Sequence, residues 1–243
     1  MHNIALIIST SDKSEDLWAT LEQTYIKFWS NINFPIYLTT NHKNFDSNLF
    51  NSLKVGDEIS WSDNLIKSLN MIQYDYILLT FDDLFLVRNV DNTLIETLIR
   101  RAMGNKYNYL QFYRSISSGQ RLDNLIFNKS NNTRYKNSTI WSLWKKDILL
   151  QLLKKEETAW EFEINGNKRS FKHNYFFSTR NNVIPFINGV VKGLWNPLAK
   201  KRLHSLGFET SDKRGSLSFI KTVKHKIWDL LFDFLTYLIH KLF

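Results

Sequence analysis

The sequence predicts an α/β domain built around a mostly parallel sheet, and two observations support this. Over residues 3–90, short apolar runs of strand length alternate with segments whose apolar residues recur at helical spacing, as in consecutive strand–helix units. The first run is almost continuously apolar, which is typical of a strand buried on both faces. At 243 residues, the chain can bury one sizeable core, or one core plus an appendage.

The elements of the first half follow from this alternation. Leu17, Leu21 and Tyr25 recur at helical spacing, and Ser62 is a suitable N-cap for a second helix. In order, we predict a strand at 3–9, a helix at 17–29, a strand at 34–38, a third strand around 59–61, a helix at 62–72 and a strand at 76–79.

In the second half of the chain, the spacing of apolar residues is less regular. An Asn- and Ser-rich stretch suggests a long loop or hairpin, and a stretch containing two Pro and two Gly suggests irregular structure. In order, we predict a helix at 92–103, a strand at 107–113, the loop or hairpin at 115–138, a strand at 139–144, a helix at 145–153, a further helix starting within 156–163 and irregular structure at 181–201.

Composition narrows the function without identifying it. The net charge of +9 predicts a surface that attracts phosphates, nucleic acid or anionic lipid. The absence of Cys excludes disulfides, thiolate metal sites and a Cys nucleophile. The apolar run at 4–8 is too short for a signal peptide, so the cytoplasm is the simplest location.

The most informative stretch is the apolar run at 76–79, which is followed closely by the adjacent carboxylates Asp82 and Asp83, after which apolar residues resume. Ionised carboxylates are rarely buried unless they are paired or bind a cation. The carboxyl end of a buried strand is also where open α/β sheets bind ligands. The alternative is a strand-ending turn in which both residues only cap the next segment.

A second constellation places four Glu around Trp160: Glu156, Glu157, Glu161 and Glu163. On a helix, Glu157 and Glu161 share a face. A carboxylate held against an indole, partly withdrawn from water, has a raised pKa and can accept a proton from a hydroxyl. The alternative is an ordinary acidic helix start, favoured by the helix dipole.

The C-terminal segment differs in character from the rest. From residue 217 onward, one narrow polar stripe runs along an otherwise apolar helical pattern, and Asp229 and Asp233 interrupt any membrane-spanning stretch. From residue 213 onward, six Lys or Arg oppose two Asp, a net charge of +4. This favours a helix lying in an anionic membrane interface. The alternatives are a helix packed on the domain or an oligomer contact.

Taken in order, these motifs resemble the bacterial GT-A-type glycosyltransferases that build capsule, O-antigen and lipooligosaccharide chains. The resemblance covers residues 3–205, and its most specific parts are 76–86 and 157–163, with a further similar stretch at 190–196. It implies a GT-A-like domain with a nucleotide-sugar donor held at the carboxyl ends of the first strands. The acceptor hydroxyl would belong to a lipid-linked molecule or an oligosaccharide.

The resemblance also implies roles for individual residues. Asp82 and Asp83 match the acidic motif that approaches the donor diphosphate, usually through Mn²⁺ or Mg²⁺, which prefer hard oxygen ligands. One glutamate would deprotonate the acceptor, Glu157 being favoured over Glu163. The residues implied to meet the nucleoside are Thr10, Ser11, Asp12, Trp61 and Ser62.

One departure from the family pattern affects metal use. The commonest acidic motif of this fold has two Asp separated by one residue, whereas Asp82 and Asp83 are adjacent. A single Asp together with Lys or Arg is therefore an alternative way to neutralise the diphosphate. The candidates are Lys168, Arg169 and Lys192.

The sequence thus predicts a glycosyltransferase domain at 1–205, inverting if a single base acts. A basic linker and amphipathic helix at 206–243 would bind the inner face of the cytoplasmic membrane, with residues 213–243 meeting anionic lipid. One alternative is a basic nucleic-acid-binding protein without catalysis, although Lys and Arg are scattered and no nucleic-acid-binding signature occurs. Another is a membrane-associated scaffold that has lost catalysis. We expect no nucleic-acid partner.

Overall fold

The computed structural model describes residues 3–113, 119–129 and 136–218. Its centre is a nine-stranded sheet with the strand order β3-β2-β1-β4-β9-β6-β10-β8-β7. The strands are β1 Ile4–Ser9, β2 Ile36–Thr40, β3 Phe50–Lys54, β4 Tyr76–Phe81, β6 Tyr109–Gln111, β7 Gly119–Arg121, β8 Ile126–Lys129, β9 Ser142–Lys145 and β10 Phe176–Thr179. Outside this sheet, β5 Leu84–Leu86 pairs with β11 Phe186–Asn188, and β12 Val190–Val191 pairs with β13 Leu194–Trp195.

The direction of the strands confirms the predicted α/β class. Strands β1 to β4 are parallel, with Leu6 of β1 opposite Ile36 of β2 and Leu78 of β4. Strand β9 runs antiparallel between β4 and β6, and β6 and β10 are again parallel. The carboxyl ends of β1 and β4 therefore meet side by side at one edge of the sheet, because Ser9 lies opposite Phe81.

Helices cover both faces of the sheet and bury its alternating side chains. Ile4, Leu6 and Ile8 of β1 pack with helices α1 (Glu15–Phe28) and α3 (Asn92–Gly104). Ala5 and Ile7 pack with helices α2 (Trp61–Met71) and α4 (Lys146–Leu152) on the other face. All five residues are inaccessible to solvent, as expected for a parallel strand between two helical layers. The helices are α1 Glu15–Phe28, α2 Trp61–Met71, α3 Asn92–Gly104, α4 Lys146–Leu152, α5 Ala159–Glu161, α6 Asn167–Ser170 and α7 Pro197–Ser205.

Two details near α2 differ from the sequence prediction. The third strand is β3, not residues 59–61, since Ile59 is exposed and Trp61 already begins the helix. The N-cap is Ser60 and not Ser62, because the Ser60 side chain accepts a hydrogen bond from the Asp63 backbone N–H at 3.1 Å. The prediction was two residues too late, because the helix already begins at Trp61 and the residue before it is Ser60.

The segment predicted as a loop or hairpin at 115–138 contains the β7–β8 hairpin within its described part. The segment at 181–201, predicted as irregular, contains three short strands and the start of α7. Gly189 packs against the Phe85 ring, and a Cβ there would lie 2.3 Å from that ring. Its backbone N–H donates to the Asp83 carbonyl at 2.7 Å, so this segment holds the chain just after β4.

Residues 206–218, which we call the strap, pack on the domain although the sequence predicted a linker from residue 206. Phe208 and Leu217 are buried, and the Trp195 backbone hydrogen-bonds Gly215 and Leu217 at 2.9 Å each. The Glu209 carbonyl accepts a hydrogen bond from the Thr20 hydroxyl at 2.7 Å. The strap therefore belongs to the folded body, because its backbone and apolar side chains have partners there.

The predicted amphipathic helix lies outside the described residues, apart from its first positions. Within residues 3–113, 119–129 and 136–218, each helix is too short or too polar to cross a bilayer.

Candidate functional site

A cleft of about 200 Å³ lies at the carboxyl ends of β1 and β4. It brings together four residues that the sequence predicted as donor contacts, namely Thr10, Ser11, Trp61 and Asp82. Its lining is completed by Ser9, Ser14, Glu58, Asn64 and Phe81. Open α/β sheets bind ligands at the carboxyl ends of their strands, so this cleft is the candidate ligand site.

Larger clefts exist, but they lie elsewhere. One of about 740 Å³ surrounds the amino end of β4 and includes Tyr74 and Lys146. Another of about 550 Å³ runs along β8 and includes Tyr107 and Lys129. Neither is lined by the Asp82–Asp83 pair, so size alone does not identify the site.

The first turn of α2 gives the cleft an aromatic wall and an unused acceptor. The Trp61 ring stacks near Phe81, with centroids 6.3 Å apart and an interplanar angle of 28°, and its Nε1 donates to the Ser9 hydroxyl at 3.0 Å. Asn64, three residues later, is only 6% exposed, and its Oδ1 has no hydrogen-bond partner among the described residues. A buried amide oxygen without a partner is costly unless a ligand or water donates to it.

Asp82 is buried at the inner end of the cleft. The Thr10 hydroxyl donates a short hydrogen bond to its Oδ2, and Thr10 in turn accepts from the Trp18 indole N–H at 2.9 Å. Burial raises the pKa of Asp82 to about 6, while the hydroxyls of Thr10 and Ser14 and the charge of Arg214 act in the opposite direction. These interactions favour the ionised carboxylate and so offset part of the free-energy cost of burying it.

Asp83 adjoins it and is half-buried. Burial first, and then the charge of Asp82, raise the pKa of Asp83 to about 7. Among the described residues, no other side chain or backbone N–H donates to its carboxylate. A cation bound beside the two carboxylates would lower both pKa values, because it favours the ionised forms.

The carboxylates of Asp82 and Asp83 have the oxygen donors that a divalent cation prefers, and a cation here remains a prediction. The described residues contain no cluster of three or more acidic or His side chains, so the protein would supply two carboxylates. Mg²⁺ and Mn²⁺ are commonly held by one or two carboxylates, with water and substrate phosphate oxygens as the remaining ligands. The free carboxylate of Asp83 suits this role better than Asp82, which already accepts from Thr10.

Asp12, predicted as a donor contact, instead joins two loops. Its carboxylate accepts backbone hydrogen bonds from Asn41 at 2.9 Å, His42 at 2.9 Å and Lys43 at 3.1 Å. Burial favours the neutral acid, but these N–H donors outweigh burial and lower the pKa of Asp12. In this structure Asp12 fastens the loop after β2 to the loop that carries Thr10 and Ser11.

Ser62 and Glu157 meet each other, away from the cleft lining. Glu157 donates its backbone N–H to the Ser62 hydroxyl at 3.0 Å, and its carbonyl accepts from the Ser62 backbone at 3.0 Å. Both carboxylate oxygens of Glu157 bind Arg169, at 2.9 and 2.5 Å. A buried carboxylate in a two-point ion pair is poorly placed to accept a proton. The Arg169 guanidinium is bound in the same ion pair, so it is not free to bind the diphosphate as predicted.

Glu163 has a different environment. Its Oε1 accepts from the Ser138 hydroxyl at 2.8 Å, the Thr139 backbone at 2.7 Å and the Thr139 hydroxyl at 2.9 Å. Its Oε2 accepts nothing among the described residues, and the side chain is partly exposed. One oxygen therefore fixes the carboxylate while the other stays available.

The expected helix carrying Glu157 and Glu161 on one face does not form. Helix α5 begins at Ala159, with Thr158 as N-cap and Glu161 completing a capping box, so Glu157 precedes it. Trp160 is 65% exposed and therefore shields neither candidate base from water.

Other cations predicted for the diphosphate are not in the cleft lining. Lys192 lies in the exposed turn between β12 and β13, and Lys168 is exposed on α6. Two residues near the site were missed. Asn64 had a usable signal, because it lies three residues after Trp61 on the same helix face. Arg214 had none, since its partner Asp16 is 198 residues away in sequence.

The sequence matches no protein-family model and no curated protein. Among solved structures, S. aureus TarS 1-349 aligns with a TM-score of 0.52 at 9% identity, covering 76% of this chain and 59% of that one. The same values hold for its complex with UDP. UDP-glucose pyrophosphorylase complexed with UDP-glucose aligns with a TM-score of 0.50 at 6% identity, covering 74% of this chain and 90% of that one.

The chain has a GT-A-like fold. At these identities the likeness concerns the fold alone, and this chain spans about three-fifths of the TarS structure (59%). The fold class predicted from the sequence is thereby confirmed.

The raised pKa values predict a pH-dependent stability. Between about pH 4 and pH 7, the native state binds protons at Asp82 and Asp83 more tightly than the unfolded chain, so stability falls as pH rises. Asp83→Asn removes one buried charge, and in EDTA we expect it to raise the free energy of unfolding by about 1–3 kcal/mol at pH 8. At pH 4.5 it should have little effect. Urea unfolding at both pH values measures this.

The control is Asp46→Asn, at an exposed carboxylate with no comparable environment, which should change stability little at either pH. Equal effects of Asp83→Asn at pH 4.5 and pH 8 would show that burial does not disfavour the Asp83 charge.

Proposed function

We propose that the protein is a glycosyltransferase that moves a sugar from a nucleotide-sugar donor to an acceptor hydroxyl. The observation that supports this most directly is the cleft itself. An aromatic wall at Trp61 and the carboxylates of Asp82 and Asp83 meet at the carboxyl ends of β1 and β4. The same fold occurs in structures that hold UDP and UDP-glucose, and TarS is a glycosyltransferase.

The cleft suits the two ends of such a donor. Trp61 offers a face on which a base can stack, and the unpartnered Oδ1 of Asn64 offers an acceptor for a base N–H or a ribose hydroxyl. The diphosphate would then lie next to Asp82 and Asp83, the residues that would hold a divalent cation. When bound, that cation supplies positive charge to the leaving diphosphate.

Of the two glutamates, we assign the base to Glu163, because its Oε2 accepts no hydrogen bond from the described residues. The acceptor oxygen attacks the anomeric carbon as the bond from that carbon to the diphosphate oxygen breaks, and the hydroxyl proton passes to the free Oε2 of Glu163. Ser138 and Thr139 hold the other oxygen and so fix the direction of that carboxylate. This reverses the predicted order of preference, because the Glu157 oxygens are bound to Arg169. A single base agrees with inversion at the anomeric carbon.

A second candidate is nucleotidyl transfer, favoured by the 90% coverage of UDP-glucose pyrophosphorylase. This reaction brings a nucleoside triphosphate and a sugar phosphate together, so it concentrates more negative charge in one site. The described residues lining the cleft include two acids, Glu58 and Asp82, and no Lys or Arg. Charge therefore favours the diphosphate donor of a glycosyltransferase. The products separate the two reactions, since only nucleotidyl transfer releases pyrophosphate.

We further propose that the acceptor is a lipid-linked or free oligosaccharide of bacterial surface polysaccharide synthesis, such as capsule or lipopolysaccharide. The support is the sequence resemblance together with the basic, apolar C-terminal segment. That segment would place the enzyme at the inner face of the cytoplasmic membrane.

The first test is a thermal-shift screen against UDP, GDP, CMP and dTDP sugars, with and without Mn²⁺, followed by transfer assays with the donor that stabilises. Bound donor should raise the unfolding temperature in proportion to the logarithm of its concentration over its Kd. Asp83→Asn should lower transfer by about 10²–10³, because it weakens charge stabilisation of the leaving diphosphate. Asp46→Asn is the matched surface control. More than about a tenth of wild-type turnover in Asp83→Asn would contradict the role of this carboxylate.

The second test separates the two glutamates. Glu163→Gln should lower turnover by about 10²–10⁴ with nearly unchanged donor affinity, since the base acts on the acceptor. Glu157→Gln breaks the ion pair with Arg169, and should chiefly lower stability, by about 1–3 kcal/mol. Turnover, donor Kd and urea unfolding distinguish the two. Similar small losses of turnover in both variants would point to a base outside this segment.

The third test concerns the membrane. Deleting residues 219–243 should abolish sedimentation with anionic vesicles, because each basic residue near such a surface contributes about 1 kcal/mol and the apolar face adds to this. Transfer to a short soluble acceptor should survive, since the strap and cleft are retained. Unchanged vesicle binding of the truncated protein, or binding insensitive to salt and lipid charge in the full chain, would rule out this membrane role.

A further inference from the structure

The cleft has a shortage of positive charge. Its described lining holds Glu58 and Asp82 but no Lys or Arg, and Asp83 adjoins it. A divalent cation balances at most the two aspartates, whereas a nucleotide-sugar diphosphate brings about two further negative charges. Lys13 is nearby in sequence, but its ammonium is 84% exposed and bonded to Glu58. The charge of a bound diphosphate therefore calls for a cation from another part of the chain.

The strap brings one such group against residues 13–16, the short segment that contributes Ser14 to the cleft lining. The Nε and NH2 atoms of Arg214 each donate to the Asp16 carboxylate at 2.8 Å, and NH2 also donates to the Lys13 carbonyl at 3.2 Å. Lys13 and Asp16 flank Ser14, which lines the cleft and contacts Asp82. Arg214 is thus fixed against the same short stretch that forms one wall of the cleft.

One edge of this guanidinium is still available. The NH1 atom of Arg214 donates to none of the described residues, and the side chain is 15% exposed. Burial raises the pKa values of Asp82 and Asp83, and the Arg214 charge offsets part of that rise at both residues. Because its charge acts on both carboxylates, Arg214 would also act on an anion bound beside them.

The backbone that carries Arg214 is held from several sides. Trp195 bonds to the carbonyl of Gly215 and the N–H of Leu217, and its indole N–H donates to the Ser211 carbonyl at 2.9 Å. The Trp195 ring also stacks on Phe85 at 5.6 Å, next to the turn that contains Asp83. A rigid mounting of this kind is what a binding residue needs, because little freedom is lost when the ligand arrives.

We propose that Arg214 binds the diphosphate of the donor, with NH1 donating to a phosphate oxygen while the Nε edge stays on Asp16. The inference rests on the proposed function, in that the ligand is a nucleoside diphosphate. The strap would then belong to the donor site, although Arg214 lies within residues 213–243, which were predicted to meet anionic lipid.

The test is calorimetric titration of the full-length protein with UDP, UMP and uridine, with Mn²⁺ present and again in EDTA. UDP is the probe because structures of this fold contain it. Arg214→Met should weaken UDP binding on the order of tenfold and leave uridine binding unchanged, since only the phosphates lose a charged donor. The UDP affinity of Arg214→Lys should lie between those of the wild type and Arg214→Met, because lysine keeps the charge but lacks the planar guanidinium.

Asp16→Asn is the matched control, as it removes the other half of the same ion pair. If Arg214 binds phosphate, this variant keeps UDP affinity or increases it, because Arg214 retains its charge and loses a competing carboxylate. If Arg214 only anchors the strap, Asp16→Asn and Arg214→Met weaken UDP and uridine alike, and the inference is overturned. If Arg214→Met does not fold, the UDP and uridine affinities of Arg214→Lys and Asp16→Asn answer the same question.

The outcomes also separate this inference from the function on which it rests. Wild-type protein that binds none of UDP, GDP, CDP and dTDP would refute the proposed function and this inference with it. Wild-type protein that binds UDP, together with Arg214→Met that binds it equally well, would refute the role of Arg214 alone.

Discussion

The desolvation of two adjacent carboxylates at the end of β4 is the constraint on which the rest of the site depends. Asp82 and Asp83 follow a strand buried on both faces, and burial raises both pKa values by disfavouring the ionised forms. Neighbouring groups offset part of the free-energy cost of burying these two carboxylates. The Thr10 hydroxyl donates to Asp82, the Arg214 charge acts on both residues, and a bound cation would supply the positive charge that is still lacking.

Rigid packing around this pair explains why such a costly arrangement can persist. The turn containing Asp83 is held by Gly189, which has no room for a side chain beneath Phe85, and Phe85 stacks on Trp195. Asp12 closes the opposite side by accepting three backbone hydrogen bonds from the loop after β2. Charged groups remain close together only where the surrounding structure prevents them from moving apart.

Local patterns predicted the fold and half of the site. Apolar periodicity was sufficient for β1, α1, β4 and α3, because their burial follows from residues close in sequence. It failed at β3, where alternation is weak, and at the Glu-rich segment, where Thr158 capping shifted the helix past Glu157. The Glu157–Arg169 and Asp16–Arg214 pairs were beyond prediction, since their partners are chosen by tertiary packing that periodicity does not report.

The position of the strap has a consequence for how the protein is made. Arg214 and its partner Asp16 are 198 residues apart in sequence, whereas the paired residues of β1 and β4 are about 72 apart. During synthesis, the parallel half of the sheet can therefore assemble long before the strap leaves the ribosome. A nascent chain would pass through an interval in which the carboxylate pair is formed but its distant cation is absent. In that interval the cleft is at its most electronegative, and divalent cations in the cell are its available counter-charge.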